Sequence, residues 1–243
     1  MKQARLTVTE NAPLTETVFR MRLEGCAGEN RPGQFVNIKI DGLFLRRPIS
    51  VCEYEDGVLT LIYKVVGQGT EALSKMVSGE KLDVLCGLGN GYDLSAAGDE
   101  PLLIGGGVGV PPLYYLAKEL VKQGKSVSVI LGFNTAGEVF YEEEFRALGC
   151  SVYVTTVDGS RGIKGFVTDA LPESASYFYA CGPEPMLRAL HRAAKFPGEM
   201  SFEERMGCGF GACMGCSCKT LYGTKRICRD GPVLEKEEIV WES

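Results

Sequence analysis

Cysteines near the carboxyl terminus are the residues of this chain whose spacing most directly predicts chemistry. Cys208, Cys213, Cys216 and Cys228 follow the pattern C-x4-C-x2-C-x11-C, and Cys218 is an additional thiol just beyond the third. Four thiolates can hold a two-iron, two-sulfur cluster, for which a C-x4-C-x2-C core followed by a distant fourth cysteine is an established spacing. The sequence therefore predicts a [2Fe–2S] cluster on these four cysteines.

Glycines between the cysteines support this interpretation. They let the backbone curl round a cluster and direct amide hydrogens at sulfur. Structural zinc is the first alternative, but zinc sites prefer two C-x2-C hooks and this segment has one. A group of buried thiols that bind no metal is the second alternative. Cys218 could also replace Cys216 as a ligand, but the x4, x2 spacing would then be broken. The glycines concerned are Gly207, Gly209, Gly211 and Gly215.

A glycine-rich turn follows a predicted strand over residues 102–104 and precedes a predicted helix over 112–122. Glycines at such a turn let backbone amides approach a pyrophosphate, and the helix offers its positive end to the anion. Val110 stands where the third glycine of G-x-G-x-x-G would fall, so a tight structural turn is the alternative. The glycines are Gly105, Gly106, Gly107 and Gly109.

A second strand-to-helix turn carries Cys181, Gly182 and Pro183. Ligands of open parallel sheets bind beyond the carboxyl ends of the strands, so this turn and the glycine turn could face one ligand. A thiol buried in the core is the alternative interpretation of Cys181.

A third group of candidates lies in the first hundred residues. Arg46-Arg47-Pro48-Ile49-Ser50 is joined in this interpretation to Ile62-Tyr63-Lys64 and to Gly69-Thr70. Arginine binds phosphate in a forked geometry, serine can donate to a heterocycle, and the amides that open a helix at Gly69 could take a phosphate. An arginine pair before proline is also typical of a solvated strand end.

The elements that must position these residues fall into three segments. Residues 1–97 contain alternating and β-branched runs separated by glycine and proline, which predicts a small antiparallel β-barrel. Residues 98–200 alternate strands with helices, which predicts a doubly wound parallel α/β sheet. Residues 201–243 are too short for much core of their own and are predicted to form a small domain stabilised by metal.

Composition narrows the class of protein further. The chain has 243 residues, 45% hydrophobic, with a net charge of -5 and no run of basic residues, so neither a nucleic acid nor an anionic membrane is an expected partner. No apolar stretch approaches the roughly 20 residues needed to span a bilayer, and no signal peptide is recognisable. We therefore expect a cytoplasmic protein, in which clustered cysteines hold metal rather than form disulfides.

Taken together, the three segments resemble the ferredoxin-reductase superfamily and, within it, the electron transfer subunits of type B dihydroorotate dehydrogenase. The resemblance covers essentially the whole chain, and the order of barrel, nucleotide domain and two-iron site is more restrictive than any one motif. It depends on Pro32-Gly33-Gln34-Phe35, Arg47-Pro48-Ile49-Ser50, the 105–112 loop, Cys181-Gly182-Pro183 and Glu204-Arg205-Met206-Gly207-Cys208-Gly209.

The resemblance implies an FAD-binding barrel, an NAD-binding α/β domain and a [2Fe–2S] domain, with cofactors rather than acid or base residues carrying the reaction. Arg47 would contact the FAD pyrophosphate and Ser50 the isoalloxazine ring. The implied FAD residues are Arg47, Pro48, Ile49, Ser50, Ile62, Tyr63, Lys64, Gly69 and Thr70; those for NAD are Gly105, Gly106, Gly107, Gly109, Cys181, Gly182 and Pro183; the cluster ligands are Cys208, Cys213, Cys216 and Cys228.

The resemblance also implies a partner and a direction of electron flow. An FMN-containing dihydroorotate dehydrogenase catalytic subunit would oxidise dihydroorotate and supply electrons through the cluster and FAD to NAD+, in pyrimidine biosynthesis. A heterotetramer with two copies of each chain is expected. NAD is predicted over NADP because residues 132–138 contain no arginine for a 2′-phosphate.

Two other functions remain open from the sequence. One is the flavin and iron–sulfur subunit of an NADH-dependent ferredoxin:NADP oxidoreductase or of a sulfhydrogenase, which would differ in its partner. The other is a non-catalytic redox sensor or zinc module that binds nucleotide without turnover. His191, the single histidine, has no evident ligand role.

Overall fold

The computed structural model describes residues 1–26 and 30–241. Six antiparallel strands of the amino-terminal segment close into a barrel in the order β1-β2-β5-β4-β3-β6. A short helix, α1, interrupts them, as the sequence predicts. The elements are β1 (Lys2–Pro13), β2 (Val18–Glu24), β3 (Phe35–Ile38), β4 (Arg47–Glu55), β5 (Val58–Lys64), α1 (Gln68–Ser74) and β6 (Lys81–Leu88).

Side chains alternate across the barrel wall, because successive residues of a strand face opposite sides. Val36 and Ile38 of β3 enter the barrel core. The intervening residues of the same strand, Phe35 and Asn37, therefore face outward. Both are nevertheless buried, so another part of the chain covers this outer face.

The middle segment forms a parallel sheet flanked by helices. Its elements are β7 (Leu102–Gly106), α2 (Val110–Lys122), β8 (Ser128–Phe133), α3 (Glu142–Ala147), β9 (Ser151–Thr156), β10 (Ile163–Lys164), β11 (Phe178–Cys181), α4 (Glu184–Ala193) and β12 (Gly198–Ser201). The sheet order is β10-β9-β8-β7-β11-β12, so the turns after β7 and β11 lie at one edge of adjacent strands. β10 and β12 are too short to have been predicted from periodicity.

The carboxyl-terminal segment contributes β13 (Ser217–Thr220), β14 (Gly223–Arg226), the single-turn helix α5 (Ile227–Asp230) and β15 (Val233–Glu235). β13 and β14 form a hairpin, whereas β15 pairs antiparallel with β12 and extends the nucleotide sheet. This segment also shares a small core with the barrel, in which Phe35 and Leu88 pack near Cys216 and Cys228. The placement of its boundary at residue 201 stays a prediction.

Helix α2 joins the nucleotide segment to the barrel, because it packs across β4. Lys118 on α2 pairs with Glu53 and Glu55 of β4 at 2.5 and 3.0 Å. Desolvation of Lys118 opposes its charge, but the two carboxylates outweigh this effect and raise the pKa of the ammonium group. The strand that carries the predicted flavin motif is therefore fixed against the nucleotide sheet.

Candidate functional site

The first two cysteines of the carboxyl-terminal motif lie together in a loop whose amides face sulfur. The backbone amides of Phe210, Ala212 and Cys213 donate to Cys208 Sγ at 3.5, 3.2 and 3.4 Å. Burial acts to raise the pKa of Cys208, but these amide bonds and its contact with Cys213 lower it to about 6. The loop therefore stabilises a thiolate, which is the form that binds metal.

The other two cysteines form a second pair. Cys228 N donates to Cys216 Sγ at 3.4 Å, and both side chains are buried. Burial, followed by contact with Cys216, raises the pKa of Cys228 to about 12. In residues 1–26 and 30–241, no group of three or more cysteine, histidine or acidic side chains could hold a metal ion. Two pairs of thiols suit two irons better than one zinc.

Glycines bring the backbone close to these sulfurs. A Cβ placed on Gly207 or Gly215 would lie 3.1 or 3.5 Å from Cys213 Sγ. Gly209 has φ +80° and lies against the side chain of Asn37, so any larger residue there would be both strained and crowded. The donor set and its tight backbone fit a [2Fe–2S] cluster. Cys218 lies on the adjacent hairpin, opposite Lys225.

The predicted flavin residues lie on the strand beside this loop. Asn37 of β3 is directly opposite Pro48 of β4, and Phe35 is opposite Ser50. Residues opposite each other on antiparallel strands point to the same face of the sheet. Pro48 and Ser50 therefore share the outer face of the barrel with Phe35 and Asn37, and they remain partly exposed.

Arg47 connects this strand to helix α1. A Cβ on Gly69 would collide with the Arg47 guanidinium, so the arginine lies directly over the glycine. The hydroxyl of Thr70 accepts from the Val66 amide at 2.9 Å and donates to the Gly67 carbonyl at 3.1 Å, which fixes the turn. The structure thus brings Arg47 and Gly69 together as a cationic cradle suited to a flavin pyrophosphate.

The remaining predicted flavin residues are Ile49, Ile62, Tyr63 and Lys64, and Ile49 packs against the barrel core. Tyr63 is buried in the barrel core, where its hydroxyl donates to Asn11 Oδ1 at 2.9 Å. Ile62 packs into the core shared with the nucleotide segment. Lys64 lines the main cleft. A flavin contact by Tyr63 would therefore use its backbone rather than its ring.

A cleft of about 610 Å³ lies between the barrel and the nucleotide sheet. The turn after β7 supplies Gly106, Gly107 and Gly109, and the turn after β11 supplies Gly182 and Pro183. The structure thus brings the two predicted turns to one cavity of a size suited to a cofactor. Gly105 and Cys181 lie at the adjoining strand ends and are buried.

The two turns are in direct contact. A Cβ on Gly109 would collide with the Cys181 carbonyl, and one on Gly106 would lie 2.5 Å from Met186 Sδ. Glycine is required here because the two backbones approach each other closely, not because of a positive φ. Burial, and then the nearby Glu203 carboxylate, raise the pKa of Cys181 to about 12, so this thiol stays neutral.

The sequence interpretation missed several cleft residues. Glu203 lines the cleft just before the cysteine loop, and its burial raises the pKa of its carboxyl group. Glu138 and Phe166 line it near the carboxyl end of β8. Glu203 precedes the Glu204–Gly209 motif, which was the available signal for it. Phe166 follows a strand of two residues that no pattern predicts.

Comparisons with known proteins agree with this geometry. Residues 203–240 match the iron–sulfur cluster binding domain of dihydroorotate dehydrogenase B, and residues 103–192 match the oxidoreductase NAD-binding domain. The dihydroorotate dehydrogenase B (NAD(+)) electron transfer subunit of Geobacillus sp. (strain WCH70) is 48% identical over 99% of both chains. The chain belongs to this family of electron transfer subunits. The corresponding subunit of Fusobacterium nucleatum is 46% identical over 96% of both chains.

Solved structures show the same fold. The structure described as an NADH-dependent reduced ferredoxin-NADP oxidoreductase has a TM-score of 0.89, with 32% identity over 98% of this chain and 90% of that chain. A ferredoxin NADP+ reductase from Neisseria gonorrhoeae has a TM-score of 0.70 at 15% identity, covering 79% of this chain and 90% of the other, and shares the fold.

These findings confirm the predicted fold class, the electron-transfer role and the cofactor set of FAD, [2Fe–2S] and NAD for this member of the family. They also imply a catalytic partner, since electron transfer subunits act with one. Within the described residues, every helix is too short or too polar to cross a membrane. His191 packs edge-on against the ring of Trp241.

Proposed function

We propose that this chain carries electrons from an FMN-containing dihydroorotate dehydrogenase catalytic subunit to NAD+, entering at the cysteine loop and leaving at the cleft. A bound flavin exchanges single electrons with an iron–sulfur cluster and hydride with nicotinamide, and so joins the two. The relatives that support this are named as electron transfer subunits of the NAD(+)-linked enzyme.

One structural relationship carries the proposal. The outer face of β3 contacts the cysteine loop through Asn37, whereas the outer face of β4 carries Pro48 and Ser50. Neighbouring strands are about 4.8 Å apart. A flavin on Ser50 would therefore lie beside the cysteine loop, with little intervening protein.

The cleft also reaches the barrel. Thr17 and Lys64 of the barrel line it together with the glycine turn. A dinucleotide whose phosphates occupy the turn would extend one end toward the barrel, where hydride transfer would take place. The residues act by binding, orienting and excluding water, and we assign none of them as a general acid or base.

The partner surface is proposed to surround the cysteine loop. Cys213 is exposed, as are the apolar side chains of Phe210, Met214 and Tyr222. Apolar side chains grouped beside a redox centre suit contact with a second protein. We propose that an FMN-containing catalytic subunit docks here, in an assembly with two copies of each chain.

Cys213→Ser, made in the complex purified anaerobically with its partner, tests the route. The variant should lose dihydroorotate-dependent reduction of FAD, while NADH still reduces FAD at close to the normal rate. Cys218→Ser is the matched control, since it removes a neighbouring thiol that we do not assign as a ligand. It should retain both reactions and the full iron and sulfide content. Normal coupling in Cys213→Ser would refute the proposed route.

The alternative with structural support is a subunit of an NADH-dependent ferredoxin-NADP oxidoreductase, because such a structure superposes over nearly the whole chain. The partner distinguishes the two. Native mass spectrometry of the complex pulled down through this chain should find an FMN-containing barrel subunit for dihydroorotate oxidation, whereas a large glutamate-synthase-like partner would favour the alternative.

A further inference from the structure

The cleft has two chemically different ends. The barrel end carries Thr15, Thr17 and the ammonium group of Lys64, whereas the opposite end is formed by residues that follow β8 and β9. If hydride transfer takes place at the barrel and phosphates occupy the central glycine turn, the adenosine half must reach the opposite end. This step rests on the proposed function.

The adenosine end contains a carboxylate held in a fixed position. Glu138 lines the cleft, and its Oε2 atom accepts from the Asn134 backbone amide at 3.1 Å and from Asn134 Nδ2 at 2.9 Å. Asn134 directly follows β8 and also lines the cleft. Because both hydrogen bonds come from Asn134 at the end of β8, they hold the Glu138 carboxylate in a fixed position relative to the sheet.

A flat apolar surface lies at the same end. The ring of Phe166 lines the cleft and is 65% exposed. Its backbone amide donates to Asp169 Oδ2 at 2.7 Å. The following residue, Val167, lies against Gly132 at the end of β8. An exposed aromatic residue and a carboxylate that line the same cleft suit the base and the ribose of an adenosine.

The turn over residues 158–161 lies beside the Glu138 end of the cleft and does not make that end positively charged. The Ala136 amide donates to Ser160 Oγ at 2.7 Å, which places the 158–161 turn beside the Glu138 loop. Asp158 adds a negative charge, and hydrogen bonds from Ser160 lower the pKa of its carboxyl group. Arg161 on the same turn pairs with Glu142 at 2.7 Å. Lys164 follows, and its stem packs on Gly159.

We propose that Glu138, positioned by Asn134, is the residue that selects NAD(H) over NADP(H), by accepting a hydrogen bond from the ribose 2′-hydroxyl and repelling a 2′-phosphate. A dianionic phosphate beside a fixed carboxylate is strongly disfavoured, whereas a hydroxyl gains a charge-assisted bond. The absence of arginine from residues 132–138 would leave a 2′-phosphate without a cationic partner in this segment, and Glu138 would add repulsion.

Equilibrium binding of NAD+ and NADP+ to the oxidised, FAD-loaded chain tests this without requiring turnover. Wild type should prefer NAD+, and Glu138→Gln should reduce the preference by about tenfold, mainly through tighter NADP+ binding. Glu138→Arg should reverse it. Asn134→Ala, which frees the carboxylate, should fall between wild type and Glu138→Gln. Retained FAD absorbance shows that each variant is folded.

Glu143→Gln is the matched control. It removes one negative charge from the same segment, but its side chain is 78% exposed and does not line the cleft. Its preference should equal that of wild type. An unchanged ratio in both Glu138 variants, or a ratio that falls solely because NAD+ binds more weakly, would overturn the inference. Failure of wild type to bind either nucleotide would instead count against the proposed function.

Discussion

The side-chain amide of Asn37, on the barrel, donates to the backbone carbonyl of Cys208, the first cysteine of the cluster motif, at 3.4 Å. Asn37 is 1% exposed, and its own backbone carbonyl accepts from Arg46, the residue before the flavin motif. One buried side chain therefore connects the cysteine loop to the strand pair that would hold FAD. We expect this contact to help set the relative position of the two cofactors.

Asn37→Ala should loosen the cysteine loop. Loss of a buried hydrogen bond costs about 1–2 kcal/mol, and the exposed Cys208 carbonyl would tend to draw in water. We expect an altered cluster EPR spectrum and faster loss of iron in air, with FAD still bound. Asn11→Ala removes a half-buried amide elsewhere on the barrel, one that donates to the Leu73 and Met76 carbonyls and accepts from the Tyr63 hydroxyl. It should lower stability comparably and leave the cluster spectrum unchanged; the same spectral change in both variants would argue against a specific role for Asn37.

Gly69→Ala should release FAD, since its methyl group would displace the Arg47 guanidinium from its position over the turn. Removal of this cation from a pyrophosphate should weaken FAD binding by about tenfold or more, as Arg47→Ala should also do. Gly67→Ala is the control, because a Cβ there meets nothing within 4 Å and its φ of 177° suits any residue. Flavin content after gel filtration measures the effect, and equal loss in both glycine variants would exclude displacement of Arg47 as its cause.

Local patterns predicted much of this arrangement. The alternation of hydrophobic and polar residues predicted the strands of the barrel, and the change in hydrophobic period near residue 98 predicted the nucleotide sheet. The sequence placed Arg47 and Gly69 in one flavin site, but not the direct contact between them, because that contact joins residues from different elements and depends on how the barrel closes. Glu138 and Phe166 were missed because a lone acidic residue or aromatic carries no spacing. β15 was missed because three residues carry too little pattern, although they extend a sheet whose first strand, β7, begins at Leu102.

Gly109→Ala should abolish most NAD(H) binding while leaving the flavin and the cluster in place. The new methyl group would meet the rigid Cys181 carbonyl, so the two turns would have to separate. Gly106→Ala should be milder, because its methyl group meets the flexible end of Met186. We expect the KM for NADH to rise by about tenfold or more in the first variant and severalfold in the second, since backbone yields less than a side-chain end. Stopped-flow reduction of FAD by NADH measures both, and the reverse order would contradict this account.

Glu199 should make the stability of the protein fall as pH rises. It lies on β12 opposite Glu235 of β15, and its Oε2 accepts from the Asp93 amide at 3.0 Å. Burial is the main reason that the pKa of Glu199 rises from 4.5 to about 7, with further repulsion from Asp93, Glu235 and Glu238, of which Glu238 is paired with Lys225. Two tyrosines also lie near Glu199: Tyr179 on the adjoining strand β11, and Tyr177 just before that strand.

The folded protein therefore binds a proton at Glu199 that the unfolded chain has already released between about pH 4.5 and 7. The free energy of unfolding should decline across this window by on the order of 2 kcal/mol. Glu199→Gln keeps the acceptor for the Asp93 amide but cannot ionise, so it should match wild type near about pH 5 and exceed it near about pH 8. Urea unfolding at both values measures the difference. Parallel pH profiles for the two proteins would contradict this prediction. They would show that the Glu199 carboxylate is charged in the folded protein and that a neighbouring cation balances its charge at the β12–β15 edge.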